Sequence, residues 1–280
     1  MIEPGKRKVL FVLSGGGMPG LDIHAGIWAA LEASGIFATD LSGTSAGAIV
    51  GAANAIGWKA GGFGEYLRQH DDSDVRHARS LWQVRAPWLE SIHDNDRIRI
   101  ILEAVMPPQW IKVTKPFSAW ACRKRTGARV NVARPELAET PADAVLASMA
   151  ISGIFPSVRL LDGEDYVDGG MRFNLPLLSN WRDYDEVWLL IGKTRPQDYE
   201  GTGIVSNLIR NLDILQLDQI QDVLDETGTI LGGACGNSGP RVRVIWPELP
   251  CKTSMLRFNH DLIDAAYVYT LRQLDKERRG

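Results

Sequence analysis

The first hydrophobic feature of the chain is the run from Lys8 to Leu13 (KVLFVL), which ends at the glycines Gly15, Gly16 and Gly17. An apolar run without polar alternation is the pattern of a central parallel strand covered on both faces. Val9 to Leu13 is too short for the apolar core of a signal peptide, although Lys6, Arg7 and Lys8 precede it. Beyond the glycines the spacing changes. Leu21, Ala25, Trp28, Ala29 and Glu32 fall at helical intervals, and Gly35 is placed to stop the helix. Residues 36–41 then fit a second short strand, and the small apolar segment 46–56, limited by Gly57, fits a second helix. Strand, turn and helix therefore occur twice near the N-terminus.

Residues 61–126 have a different texture. A charged stretch from His70 to Arg79 is followed by Trp82, Trp88, Trp110 and Trp120, with Pro87, Pro107 and Pro108 between them. This pattern predicts irregular helices and loops that cover one end of a sheet, as a cap-like or lid-like region inside a single domain spanning 1–280. The tryptophans suit core or loop anchors better than a lipid-facing lid. Further strands are predicted at 129–132, 157–161, 166–167, 186–191 and 241–246, and helices near 142–150, 204–225 and 255–278. Such alternation predicts an α/β fold with a mainly parallel central sheet.

Composition narrows the function classes. The 280 residues are 45% hydrophobic and 23% charged with a formal net charge of −3, too balanced to imply a nucleic-acid partner. No stretch approaches the roughly 18 consecutive apolar residues of a membrane-spanning helix, so any membrane contact is expected to be peripheral. Cys122, Cys235 and Cys251 are odd in number and widely spaced, which indicates neither a disulfide framework nor a zinc site. A reducing cytoplasm is the simplest location, with export without a cleaved signal left open. His24, His70, His77 and His93 lack metal-ligand spacing, and no metal or cofactor is expected.

Three segments can carry chemistry. Ser45 lies in Gly43-Thr44-Ser45-Ala46-Gly47, at a predicted strand-to-helix junction, the context of a nucleophile elbow. Side chains at Gly43 or Gly47 would crowd neighbouring backbone, while the Ser45 hydroxyl is lifted to a helix N-terminus that favours developing negative charge. The loop from Ser14 to Gly20 follows the first strand and can turn several N–H groups towards one anionic oxygen. Where that oxygen is a tetrahedral oxyanion, losing one such donor typically costs about 100-fold or more. The same loop also satisfies a dinucleotide fingerprint through Gly15, Gly17 and Gly20, with Asp40 downstream. Asp168, followed by Gly169 and Gly170, places a carboxylate at a strand end. All three segments follow predicted strands, whose C-terminal ends a parallel sheet gathers along one edge.

Together these residues resemble the patatin-like acyl-hydrolases and phospholipases. The blocks that carry the resemblance are Gly15-Gly16-Gly17, the Ser45 pentapeptide, Ala147-Ser148 through Phe155-Pro156, and Asp168-Gly169-Gly170 followed by Asn174 and Pro176, in the family's order. The likeness spans roughly residues 8 to 192. It implies a three-layer α/β/α sandwich and a Ser-Asp dyad in which Ser45 attacks an ester and Asp168 takes its proton, with no catalytic histidine. It also implies an oxyanion hole in Gly15, Gly16, Gly17 and Met18, the N–H groups of Gly16, Gly17 and Met18 being the candidate donors. The motif glycines are Gly20, Gly43, Gly47, Gly169 and Gly170. The implied substrate is a lipid or other carboxylic ester. Pro19 departs from the family, which usually has arginine or lysine there, so neutral esters stand beside phospholipids as substrates. Ser152 departs too, replacing a common proline.

Three other readings are carried forward. An α/β-hydrolase triad would use His260 after Ser45 and Asp168, but too few strands precede Ser45, and His260 falls in a helical pattern with Leu256, Ile263 and Ala266. A nicotinamide-dependent oxidoreductase would use residues 15–20 as a dinucleotide loop. A catalytically silent lipid-binding protein would keep the fold alone.

Overall fold

The structure, a computed structural model, describes residues 7–75, 90–193, 204–228, 239–249 and 257–279. The apolar run at the N-terminus forms β1 (Val9–Leu13), buried along its whole length. It pairs in parallel with β2 (Asp40–Thr44) on one side and β7 (Glu186–Leu190) on the other, so both of its faces need apolar side chains. Val9, Phe11 and Leu13 point to one side of the sheet with Trp188 and Leu190. Leu10 and Val12 point to the other with Val187 and Leu189.

The sheet order is β5-β6-β3-β2-β1-β7-β8, with β4 (Arg129–Asn131) attached to β3 (Phe117–Arg123). The strands β3, β2, β1, β7 and β8 (Arg241–Ile245) run parallel, while β4, β5 (Val158–Arg159) and β6 (Asp165–Asp168) add antiparallel pairs at one side. One face is covered by α1 (Gly17–Ala33), α2 (Ala46–Ala55), α3 (Ala60–Leu67) and α6 (Pro141–Ser148), and by α8 (Asp261–Arg279), which packs on α1. Short α4 (Asp72–Val75) and α5 (Asp96–Val105) lie between α3 and β3 in the chain. Ile220, Val223 and Leu224 of α7 (Ile204–Glu226), with Leu175, Leu177 and Trp181, cover the opposite face. This is the expected α/β architecture of three layers with a mainly parallel centre.

Several boundaries differ from the sequence reading for physical reasons. The second strand is residues 40–44 rather than 36–41, because Leu10 to Leu13 pair with Asp40 to Gly43. The chain before it is instead the end of the α1 turn, where the Ile36 N–H donates to the Leu31 carbonyl. The first helix begins at Gly17 rather than Leu21, so Gly17 to Gly20 form its first turn.

The region 61–126, expected only to cover the sheet, contributes β3 at 117–123, an internal strand between β2 and β6. Its buried positions are Phe117, Ala119, Ala121 and Cys122; the two alanines let α6 and α2 come close but carry weak strand propensity. Trp110 and Trp120 are anchors: their indole N–H groups donate to the Ala138 carbonyl (3.0 Å) and the Ser42 hydroxyl (3.0 Å). Trp82, Trp88 and the expected helix start at Met255 lie outside the described residues. The helix α6 begins where its sequence directs, with Thr140 and Asp143 forming a reciprocal capping box.

Candidate active site

Ser45 occupies the single residue between β2 and α2, at φ 54° and ψ −121°. Among the described residues it is the one non-glycine with positive φ. Such backbone costs of order 1–3 kcal/mol and persists because the surroundings enforce it. The enforcement is steric: a Cβ on Gly47 would come within 2.3 Å of the Leu13 carbonyl oxygen. It is also polar, since the Ser45 N–H donates to the Ser148 hydroxyl (3.0 Å), which in turn donates to the Trp120 carbonyl (2.6 Å). Ser148 belonged to one of the family-like blocks, but sequence alone did not reveal this role.

The glycine loop is pinned between β1 and the end of β7. The Ser14 N–H donates to the Leu190 carbonyl (3.0 Å), and the Gly192 N–H donates to the Ser14 hydroxyl (3.0 Å). A Cβ on Gly16 would lie 2.0 Å from the Gly192 carbonyl oxygen, so the loop can approach β7 this closely only as glycine. Gly20, one turn along α1, faces the same carbonyl. The N–H of Gly15 is taken by the Asn174 carbonyl (3.0 Å). Gly16, Gly17 and Met18 head α1, where N–H groups have no intrahelical partner, and no protein acceptor among the described residues takes them. Pro19, with no N–H, adds no donor and no charge to this turn.

His24 also stabilises the loop. Its Nε2 lies 2.8 Å from the Ser14 carbonyl, which can only accept, so the neutral ring carries its proton there. Burial pushes its pKa down to about 4.

Asp168 reaches Ser45 by a route that corrects the sequence argument. It sits on β6, which runs antiparallel to β3, so it does not arrive at a shared parallel edge. Instead Asp168 pairs with Ala121, one residue beyond Trp120, which pairs with Thr44. The register therefore stops the carboxylate level with Ser45, near enough for the serine hydroxyl to favour its ionised form. The Gly170 N–H donates to Asp168 Oδ1 (2.6 Å). Gly169 packs directly beneath the Trp120 carbonyl. Ser45 and Asp168 are both buried. Burial raises the Asp168 pKa to about 6, against the Ser45 hydroxyl, the Gly170 N–H and the Lys193 ammonium, which favour the ionised form.

A narrow cleft opens beside Ser45, lined by Gly17, Met18, Ile49, Met149 and Phe155. A second, larger cavity, with Leu21, Phe63, Leu102 and Phe258 in its walls, shares Met18, Ile49 and Met149 with the first. Three flexible or aliphatic side chains thus separate the serine from a larger apolar space.

Two rival constellations are not assembled. Asp40 begins β2, opposite Leu10, whereas the glycine loop follows Leu13 at the other end of β1. A dinucleotide site needs the acid at the loop's end of its strand. His260 binds Asp22 through Nδ1 (3.0 Å) and the His70 carbonyl through Nε2 (2.9 Å), so both ring nitrogens are occupied in tying the start of α8 to α1 and to the segment after α3.

The family model for patatin-like phospholipases matches residues 11–181, which include the glycine loop, the Ser45 elbow and Asp168. The chain belongs to the patatin-like phospholipase family. Uncharacterized NTE family proteins of Mycobacterium bovis and Mycobacterium tuberculosis are each 28% identical to it over 172 residues, covering 61% of this chain. The matched segment spans only 27% of the length of these relatives. Among solved structures, the chain is similar to VipD from Legionella pneumophila (15% identity, TM-score 0.47, 98% of this chain and 67% of that one). It is also similar to the type III effector protein ExoU (15% identity, TM-score 0.41, 96% of this chain and 53% of that one). No helix among the described residues is long and apolar enough to cross a membrane.

Proposed function

We propose that the chain, as a single patatin-like domain over 1–280, hydrolyses carboxylic esters of lipids with Ser45 as nucleophile and Asp168 as general base. The observation that carries this reading is a buried carboxylate, Asp168, brought by the β2-β3-β6 register level with Ser45 at a strained strand-to-helix turn. Ser45 Oγ attacks the ester carbonyl while its proton passes to Asp168. The oxyanion is met by the N–H groups of Gly16, Gly17 and Met18, aided by the N-terminal ends of α1 and α2. Gly15 contributes shape rather than a donor, because its N–H is already engaged. Collapse expels the alcohol, which takes the proton from Asp168 and leaves an acyl group on Ser45. Water then gives a proton to Asp168 as it attacks the acyl carbonyl, and Ser45 leaves with that proton.

The substrate class follows from the walls. Apart from Ser45 itself, the side chains an acyl chain would meet at the cleft are apolar, and displacement of Met18 or Met149 would join it to the apolar space beyond. With Pro19 in place of a cation, the loop offers no charge to an anionic head group, which favours neutral esters as much as phospholipids. Contact with a lipid surface would be peripheral.

Labelling by a fluorophosphonate probe, with hydrolysis of p-nitrophenyl butyrate measured alongside, tests this reading. Wild type should react in both assays, Ser45→Ala in neither, and Asp168→Asn should lose at least about 100-fold in kcat/KM. Labelling and hydrolysis that persist in Ser45→Ala would refute it.

A further inference from the structure

The family match ends at residue 181, yet the groups that surround Asp168 from behind come from later in the chain. Lys193 follows β7 and Gly192, and it is buried. Its ammonium is held by the Asp213 carboxylate and by Gln216 Oε1 (2.8 Å) on α7. The other end of the Gln216 amide lies against Gly170, where a Cβ would meet Gln216 Nε2 at 2.7 Å and Asp168 Oδ1 at 2.9 Å. One helical turn on, Gln219 accepts the Asn174 N–H (2.7 Å) and reaches the Gly170 and Met171 carbonyls (3.5 and 3.4 Å). Asp213, Gln216 and Gln219 recur every third residue, so one face of α7 clasps both Lys193 and the turn that supplies the N–H donor to Asp168.

Resting on the Ser-Asp reading, we propose that Lys193 is a positioning residue: clamped by Asp213 and Gln216, its charge holds the Asp168 carboxylate ionised and aligned on Ser45. A buried cation in a dry environment is screened far less than a surface one. Burial lowers the Lys193 pKa and raises that of Asp168, and the attraction between the two groups works against both shifts, favouring the anion of Asp168 and the cation of Lys193, which Asp213 also supports.

The other titratable groups around the pair do not substitute for this charge. Cys122 on β3 is pushed up to about 11 by burial and by Asp168 itself, and His24 on α1 stays neutral. On α7, Asp213 carries the opposite sign, and Arg210 opposes the charge of Lys193.

The test is the pH profile of kcat/KM on p-nitrophenyl butyrate for Lys193→Met and Lys193→Arg. It is read beside the titration of the Asp168 carboxylate by NMR on ¹³C-aspartate-labelled protein, assigned with Asp168→Asn. Lys193→Met should move both the acidic limb and the carboxylate titration upward by about one unit, as loss of a nearby opposite charge does. Lys193→Arg should restore most of both. A purely structural role would lower kcat at every pH and leave the midpoint in place, which would overturn the proposal, as would an unmoved carboxylate titration. If Lys193→Met does not fold, Lys193→Gln carries the same comparison. If wild type hydrolyses no ester while the titration still moves with Lys193, the hydrolase reading fails and the Lys193–Asp168 coupling stands.

Discussion

Replacing Asp168 by asparagine removes a carboxyl group whose ionisation the native protein resists. In the unfolded chain this group titrates near 3.8, and in the native protein near 6. Between these values the folded state binds more protons than the unfolded state, so wild-type stability falls as pH rises through this window. Below about pH 3.8 the carboxyl is protonated in both states and contributes no penalty. Above about pH 6 the penalty is complete, and a difference of about two units corresponds to about 3 kcal/mol.

Asparagine at 168 also changes the contacts with Ser45 and the bond from the Gly170 N–H, but these effects do not depend on pH. They cancel when the stability of Asp168→Asn relative to wild type at pH 8 is compared with the same quantity at pH 4. Urea denaturation followed by tryptophan fluorescence measures both. The variant should gain about 2–3 kcal/mol relative to wild type between pH 4 and pH 8. A relative stability that stays flat, or that falls with pH, would refute the assignment of a buried carboxylate with a raised pKa. With Asp168 as the proposed general base, the wild-type kcat/KM should rise across the same interval with a midpoint near pH 6, because only an ionised carboxylate can accept the serine proton.

Two further outcomes follow from the geometry. At position 45, glycine should be more stable than alanine by about 1 kcal/mol, because the strain of φ 54° disappears while both variants lose the hydroxyl. The same exchange at buried Ala53 in α2 should destabilise by about 1 kcal/mol, and identical signs at the two positions in urea melts would contradict a strained elbow. His260→Ala should lower stability by roughly 1–3 kcal/mol by removing a partner of buried Asp22, while kcat at 20 °C stays within about twofold of wild type. A loss of kcat comparable with that of Asp168→Asn would instead assign the histidine to the chemistry.

What the sequence determined by itself was local. The unbroken apolar run of β1 required a strand covered on two faces, and the glycines at 43 and 47 marked a turn too tight for side chains around Ser45. The glycines from 15 to 20 marked a loop opening onto a helix, and the order of these blocks with Asp168 indicated the family. These are patterns along a short stretch of chain and could be read without a fold, although the backbone that crowds Gly16 and Gly47 belongs to Gly192 and Leu13.

Tertiary structure decided everything that depends on partners distant in the chain. The strand β3 was hidden because Ala119 and Ala121, weak strand formers at its centre, acquire their meaning only from α6 and α2 packed above them. Asp168 arrives at Ser45 through an antiparallel register with β3 that no local pattern encodes. Ser148 became the acceptor for the Ser45 N–H only after α6 was docked, 103 residues away in the chain. The burial that lifts the Asp168 pKa, and the Lys193, Gln216 and Gln219 side chains gathered behind it, likewise arise where β7 and α7 close over the site. Electrostatics and packing act through space, so these features exist only once the chain has folded.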